Sequence, residues 1–143
     1  RLTGIPGVCH ATFGPGAVNL ASGAGGALLD RSPVIILTSE IDDRMLGRTT
    51  QMNIDHQKLF LPVTKATFRV NHLNAAEVLS GALAICTDEL PGPVHIGLPS
   101  DIACKIEIAR SAYHFQNDFA CITLFSLTSF KIIFSKFYKN ILK

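Results

Sequence analysis

An α/β fold, with a doubly wound parallel sheet and helices on both faces, is the class that the sequence predicts. Strand-like and helix-like stretches alternate over the first hundred residues. Among them, Pro33–Thr38 (PVIILT) is the continuous β-branched run typical of a strand covered on both faces. All 11 glycines and all 7 prolines lie at or before Pro99. We therefore place one domain at residues 1–103 and a divergent tail at residues 104–143.

The first half of the domain follows from local patterns. Val8–Thr12 (VCHAT) is a short strand-like run. Residues 17–29 have a helical pattern but are apolar on almost every side, so we expect a buried helix. Three glycines inside it are expected to let a neighbouring element approach closely, despite a propensity cost of ~1 kcal/mol each. Residues 41–58 are polar and irregular, which predicts surface loop with a short helix.

The second half repeats the alternation. Residues 67–70 form a strand-like run, and Asn74 followed by Glu77 resembles a capping box. We expect a helix from there to Pro91 and Gly92, which stop it. The run PVHIGL at 93–98 predicts the final strand.

The composition excludes several classes of function. A formal net charge of +2 is too small to indicate a nucleic-acid-binding surface. The four cysteines lie far apart with no CxxC pair, so we expect buried reduced thiols rather than a zinc site or a disulfide framework. No signal peptide and no uncharged apolar run of about 18 residues is present, so no spanning helix is predicted. We expect a cytoplasmic protein, with an organelle as the alternative, and a fragment of a longer chain because the sequence opens with Arg1 rather than Met.

The tail has a composition of its own. Phe, Ile, Lys, Asn and Tyr make up most of residues 122–143, as expected for translated A/T-rich non-coding sequence. The same residues would also form a basic amphipathic helix able to contact a membrane surface or a partner. We favour the unselected tail and keep the helix as the alternative.

The stretch ATFGPGAVNL at residues 11–20 places Gly-Pro-Gly between the first strand and the first helix. A glycine loop before a helix N-terminus is a general anion-binding arrangement. However, the sequence matches neither GxxxxGK[ST] nor GxGxxG with an acidic ribose ligand. The residues alone therefore allow either a ligand-contacting loop or a tight structural turn, and favour the turn.

Four segments in one order carry a resemblance to a known family: GVCHATFGPGAVNLASG, LLDRSPVIILTSE, LFLPVTKATFRV and ELPGPVHIGLPSDIA. They resemble the N-terminal, pyrimidine-binding domain of the thiamine-diphosphate-dependent enzymes of the acetolactate synthase group. The resemblance covers residues 1–103 and implies the same doubly wound sheet.

The resemblance implies roles for particular residues. The loop would approach the aminopyrimidine of the cofactor at a dimer interface, its glycines allowing close backbone contact. Gln51 would lie near the substrate pocket. The cofactor-binding residues implied in this way are Phe13, Gly14, Pro15, Gly16 and Asn19.

The resemblance also indicates what this chain lacks. The family's catalytic glutamate precedes the position of Arg1, and its diphosphate and magnesium motif belongs to a C-terminal domain. We therefore expect no catalytic residue and no metal ligand in this chain, and no turnover by it alone. The remaining glutamates are expected to face solvent or cap helices: Glu40, Glu77, Glu89 and Glu107.

A full-length parent would be a homodimer or higher homo-oligomer that uses thiamine diphosphate and magnesium, with FAD in some relatives. It would decarboxylate a 2-oxo acid and transfer the acyl unit. The alternative for this chain is a non-catalytic module that dimerises or binds a membrane or partner through the basic helix.

Several other polar residues have simpler interpretations. His10 and His95 lie in strand-like runs and are interpreted as hydrogen-bonded core histidines. His56 is interpreted as a surface-loop residue, Lys65 as structural near a subunit contact, and Asp88 as a late-helix surface charge.

Overall fold

The computed structural model describes residues 5–48, 52–71 and 73–104. Within them, four parallel strands form one sheet in the order β1-β2-β4-β3. The predicted α/β class with a parallel sheet is therefore confirmed. The strands are β1 (Gly7–Ala11), β2 (Val34–Glu40), β3 (Ala66–Arg69) and β4 (Pro93–Pro99).

Helices connect the strands and cover both faces of the sheet. Each predicted element appears within a few residues of its expected position. A 3-10 turn at Leu61–Val63 and a short helix at Ser100–Cys104 were not expected. The helices are α1 (Pro15–Leu29), α2 (His56–Phe60), α3 (Ala75–Thr87) and α4 (Ser100–Cys104).

Two apolar clusters follow from the alternation of side chains along the buried strands. Ile35 and Leu37 of β2 lie on the α3 side, in a cluster that includes Val94 and Ile96 of β4. Ile36 lies on the opposite side, with Ala17 and Ala24 of α1 and Phe60 of α2. Because successive side chains of a strand point to opposite faces, one continuous apolar run supplies both clusters.

The prediction that α1 is buried on all sides is wrong. Only Ala17 and Ala24 of this helix are buried, whereas Val18 is 43% and Leu29 86% exposed. One helix face packs on the sheet, and the described residues do not cover the other. The glycines also differ from expectation: a Cβ on Gly25 would lie 3.7 Å from Val63 Cγ1, while Gly23 and Gly26 have no described neighbour within 4 Å.

The C-terminus of α1 ends in a Schellman motif. The Arg31 N–H donates to Leu28 O at 3.2 Å and the Ser32 N–H donates to Ala27 O at 2.8 Å. Arg31 is therefore held in the left-handed region, with φ 53°. This conformation costs a residue with a Cβ about 1–2 kcal/mol relative to glycine.

We expect Arg31→Gly to stabilise the protein by about 1 kcal/mol, because glycine adopts this conformation without a steric penalty. Urea unfolding of the full chain measures the effect. Arg31→Ala is the matched control, since it removes the same charged side chain but keeps the Cβ. Equal stabilities of the two variants would contradict the backbone explanation.

The predicted capping box at α3 does not form. Asn74 is the N-cap residue, but its side chain makes no capping hydrogen bond. Its Oδ1 instead accepts from the Asn71 N–H at 2.7 Å, while Asn71 Oδ1 accepts from the Leu73 and Asn74 N–H groups. Asparagine side chains compete in this way for nearby backbone donors.

Lys65 ties the end of α3 to the strand that precedes it. Its Nζ donates to Ile85 O and Leu90 O, both at 2.6 Å, and forms an ion pair with Asp88. The structural interpretation of Lys65 is thus supported, and Asp88 has an ion-pair partner that its interpretation as a simple surface charge missed. A cation here also complements the carbonyl end of the helix dipole.

Two of the four cysteines lie in the part of the chain where side chains are described. Cys86 is buried and Cys9 half-buried, and both are free thiols. Burial raises the pKa of the Cys86 thiol to about 11. These two agree with the expected reduced thiols.

The tail predictions lie outside the described residues, as does Glu107. Residues Arg1–Ile102 form one compact unit. No helix in the described part has the length and apolar character needed to cross a bilayer.

Candidate functional site

The loop Thr12–Gly16 follows β1 at the carboxyl end of the parallel strands and includes the first two residues of α1. Gly14 is buried and has φ +70°, and a Cβ there would lie 2.9 Å from Met52 Cβ. A Cβ on Gly16 would lie 3.0 Å from Thr12 Cγ2. Both positions are therefore short of space for a side chain, and Gly14 also requires a conformation that favours glycine.

The other sequence-predicted site residues surround this loop. Phe13 is half-buried, and Pro15 is exposed at the first position of α1, where its missing N–H costs nothing. Asn19 is exposed on α1, and within the described residues its side chain makes no hydrogen bond to the loop. Gln51 lies outside the described residues.

His56 is the side chain that holds the loop. It is only 3% exposed, which makes its interpretation as a surface residue wrong. Asp55 begins α2 by accepting a hydrogen bond from the Lys58 N–H at 3.0 Å, and this cap turns His56 toward the sheet. The Gly14 N–H then donates to His56 Nε2 at 3.3 Å.

His95 lies next to His56 in the middle of β4. Its Nε2 lies 2.8 Å from Thr38 Oγ1, and its Nδ1 lies 2.6 Å from Thr67 Oγ1. The Phe60 ring stacks on the imidazole with centroids 4.2 Å apart. His95 is fully buried, so the prediction of a hydrogen-bonded core histidine is confirmed; His10 also has a partner, with His10 Nε2 lying 3.2 Å from Ser39 Oγ.

Burial sets the protonation of both site histidines. Desolvation, with a smaller contribution from His56, lowers the pKa of His95 to about 3. Desolvation also lowers the pKa of His56, against the opposing charges of Glu40 and Asp55. Both imidazoles are therefore neutral at pH 7.

An ion pair closes the other end of this polar region. Gln57 Nε2 donates to Glu40 Oε1 at 2.8 Å, and Arg69 Nε donates to Glu40 Oε2 at 2.5 Å. Arg69 also pairs with Asp43. Glu40 is 9% exposed, so its expected solvent-facing role is wrong, whereas Glu77 and Glu89 are exposed as expected.

Glu40, His56 and His95 form the kind of cluster that can hold a metal ion, with one ligand atom from each within 4.8 Å of the others. The carboxylate and ring nitrogens are already engaged in hydrogen bonds to Thr38, Thr67 and neighbouring groups. A bound cation would have to break several of these bonds. The arrangement is therefore better suited to fixing side chains than to ligating a metal.

One signal in the sequence could have revealed this region. Each of three neighbouring strands carries a polar residue inside an otherwise apolar or half-buried run, and these residues point to the same sheet face. Because buried polar groups need partners, such residues on adjacent strands predict a shared network. They are Thr38, Thr67 and His95.

Comparison with known proteins places the chain among recognisable relatives. The family described as "Thiamine pyrophosphate enzyme, N-terminal TPP binding domain" matches residues 1–59. A probable acetolactate synthase large subunit of Methanocaldococcus jannaschii is 42% identical over 103 residues, covering 71% of this chain and 17% of that protein.

Two further relatives agree. The large subunit of acetolactate synthase isozyme 1 of Escherichia coli K12 is 36% identical over 107 residues, covering 74% of this chain and 19% of the relative. The chloroplastic acetolactate synthase 2 of Nicotiana tabacum is 37% identical over 109 residues, covering 76% of this chain and 16% of that protein. The chain thus spans less than a fifth of the length of each of these relatives.

Proposed function

The chain contains an acetolactate-synthase-like N-terminal domain of the thiamine-pyrophosphate-dependent enzymes, and we propose that its loop Thr12–Gly16 contacts the pyrimidine end of thiamine diphosphate. The buried, left-handed Gly14 carries this proposal. It is fixed at the carboxyl end of the parallel strands, where doubly wound folds place their ligands.

The groups offered by the loop suit a flat heteroaromatic ring. The stretch ATFGPGAVNL contains no basic side chain that would neutralise a diphosphate. It does contain the half-buried Phe13, and the N–H groups of Gly16 and Ala17 fall in the first turn of α1, where no intrahelical acceptor exists. The apolar neighbour and the lack of a basic side chain favour the pyrimidine over the anionic end of the cofactor, and the two N–H groups can donate to a ring nitrogen.

Each group has a definite part in this proposal. Gly14 and Gly16 keep the loop free of Cβ atoms, so that a ring can approach the backbone. His56 fixes the Gly14 N–H, and Phe13 excludes water from one side of the ring. Bound thiamine diphosphate supplies the carbanion chemistry that a 2-oxo acid decarboxylase and carboligase requires.

The reaction of the whole protein is also a proposal. We propose that a parent of this domain decarboxylates a 2-oxo acid and transfers the acyl unit, as a homodimer or higher oligomer. The diphosphate, its magnesium ion and any flavin would then be held by parts of the parent other than this domain, and Gln51 would face the 2-oxo acid.

Amide chemical shifts of the ¹⁵N-labelled full chain test the loop directly. Thiamine and thiamine diphosphate are expected to shift the amides of Phe13, Gly14, Gly16 and Ala17 at millimolar concentrations, since the diphosphate anchor is not part of the proposed site. Inorganic pyrophosphate is expected to leave them unchanged. Equal shifts with pyrophosphate would show an anion site, and no shift with thiamine would contradict the proposal.

Gly14→Ala is expected to weaken thiamine binding at least tenfold. The new Cβ would lie 2.9 Å from Met52 Cβ, and the φ of +70° penalises any residue with a Cβ. Gly26→Ala is the control, because a Cβ there meets no described atom within 4 Å. The same titration measures both variants, and wild-type affinity in Gly14→Ala would contradict a close backbone contact.

A further inference from the structure

A continuous chain of hydrogen bonds runs from the backbone of the loop Thr12–Gly16 to the Glu40–Arg69 ion pair. Every link connects buried or half-buried atoms at 2.6–3.3 Å. We call it the polar chain; its members, in order, are Gly14 N–H, His56, Thr38, His95, Thr67, Gln57 and Glu40.

The Gly14 end fixes the direction of the first bonds. A backbone N–H can only donate, so His56 Nε2 must present its lone pair to Gly14. A neutral imidazole carries one proton, which therefore sits on Nδ1 and is donated to Thr38 Oγ1 at 3.0 Å. The Thr38 hydroxyl proton is then directed to His95 Nε2 at 2.8 Å.

The same logic continues through β4 and β3. Because His95 Nε2 accepts, its proton sits on Nδ1 and is donated to Thr67 Oγ1 at 2.6 Å. The Thr67 hydroxyl then donates to Gln57 Oε1, also at 2.6 Å. Each hydroxyl in the chain thus accepts one bond and donates the next.

The contacts of Glu40 independently require the same direction of hydrogen bonding along the polar chain. An ionised carboxylate paired with Arg69 can only accept, so the NH₂ group of Gln57 must face Glu40. Its carbonyl oxygen must then face Thr67, as an acceptor for the hydroxyl. The two ends agree, and no donor meets a donor anywhere in the polar chain.

We propose that His56 is a positioning residue that fixes the Gly14 backbone, and that the polar chain holds both His56 and His95 in the Nδ1–H tautomer. The geometry of seven groups on α2, three strands and the loop carries this assignment. Its relevance to cofactor binding rests on the proposed function, whereas the tautomers depend on the contacts alone. The ion pair at the far end would thereby set the orientation of the loop.

Histidine ¹⁵N chemical shifts of the full chain at pH 7.5, without cofactor, test the tautomers. His56 and His95 are both expected to show a protonated Nδ1 and an unprotonated Nε2, opposite to the form that imidazole favours in water. Variants His56→Gln and His95→Gln identify the two sets of signals. A protonated Nε2 on either residue would overturn the proposal.

Paired substitutions separate positioning from mere packing. In His56→Gln the side-chain oxygen reaches the Nε2 position and can still accept from Gly14. In His56→Asn the amide nitrogen reaches only the Nδ1 position, so the Gly14 N–H loses its acceptor. Exchange of the Gly14 amide hydrogen is expected to accelerate at least tenfold in His56→Asn and less than threefold in His56→Gln, and equal rates would overturn the positioning role.

Thr38→Val tests the link between the two histidines. It keeps the side-chain shape but removes the hydroxyl that accepts from His56 Nδ1–H and donates to His95 Nε2, so the ¹⁵N shifts of these two ring nitrogens are expected to move, while Thr38→Ser leaves them unchanged. Wild-type ¹⁵N shifts at both ring nitrogens in Thr38→Val would overturn the polar chain. The wild-type ¹⁵N shifts decide the tautomer assignment even if this variant does not fold, and a negative thiamine titration would count against the proposed function alone.

Discussion

Gly97→Ala is expected to destabilise the protein by about 3–5 kcal/mol, the largest effect of any methyl-sized change at a described glycine. A Cβ at this position in β4 would overlap the Glu40 carboxylate and lie 2.8 Å from Gln57 Nε2. Gly97 pairs in register with Thr38 on one side and Arg69 on the other, so the backbone of β4 is held between two strands and the Glu40 side chain would have to move.

The cost has two sources. Inserting a methyl group into a filled region forces strain of about 1–3 kcal/mol. Displacing the Glu40 carboxylate also separates it from Arg69 Nε and from Gln57, which leaves a mostly buried charge without its partners. The second source makes this substitution more damaging than overpacking of an apolar core.

Urea unfolding of the full chain measures this effect. Gly81→Ala is the matched control, because it adds the same methyl group inside α3 where no described atom lies within 4 Å. The control is expected to gain up to about 1 kcal/mol from helix propensity. A Gly97→Ala variant with a free energy of unfolding within 0.5 kcal/mol of the wild type would show that the Glu40 carboxylate can move without losing its partners.

The order of elements was predictable because local patterns and tertiary structure agree. Three local patterns each predict a single structural feature: the β-branched run of β2, the proline and glycine that end α3, and the strand-like run that follows them. The burial of α1 was not predictable from its apolar composition. Sequence shows which helix faces could be buried, but the neighbouring elements decide which of them are.

The sequence indicated only some of the residues that form the candidate site. The family resemblance, rather than the residues alone, drew attention to the loop Thr12–Gly16, in which Gly14 has the positive φ that favours glycine. His56 and Glu40 were misplaced, since both lie in or beside a polar stretch that reads as surface loop. Their burial depends on a cap at Asp55 and on the space above Gly97, which are contacts between distant segments.

These two errors have one physical cause. A polar residue is favoured at the surface unless partners replace the water that it loses. Here the partners come from three strands and from α2, so no local window of sequence contains them.

Stability is expected to fall as the pH is lowered from 6.5 to 4.5, by about 2–3 kcal/mol from His95 alone. The pKa of His95 is about 3 in the folded protein and about 6.5 when unfolded, so in this range only the unfolded state binds the proton. His56, whose pKa is also lowered, adds to the same slope. The stabilising contribution is complete above pH 6.5 and is lost progressively toward pH 3.

Urea unfolding at half-unit pH steps measures how the free energy of unfolding changes with pH. A single histidine contributes at most about 1.4 kcal/mol per pH unit to this slope. The window ends at pH 4.5 because Asp55 and Asp88, whose pKa values are lowered, titrate below it. The His95→Gln variant is expected to be less stable than the wild type at pH 7. Its free energy of unfolding is also expected to depend less on pH, because unfolding takes up about one proton fewer. A wild-type change of less than 1 kcal/mol across the window, or an unchanged slope in the variant, would contradict a neutral, buried His95 in the polar chain.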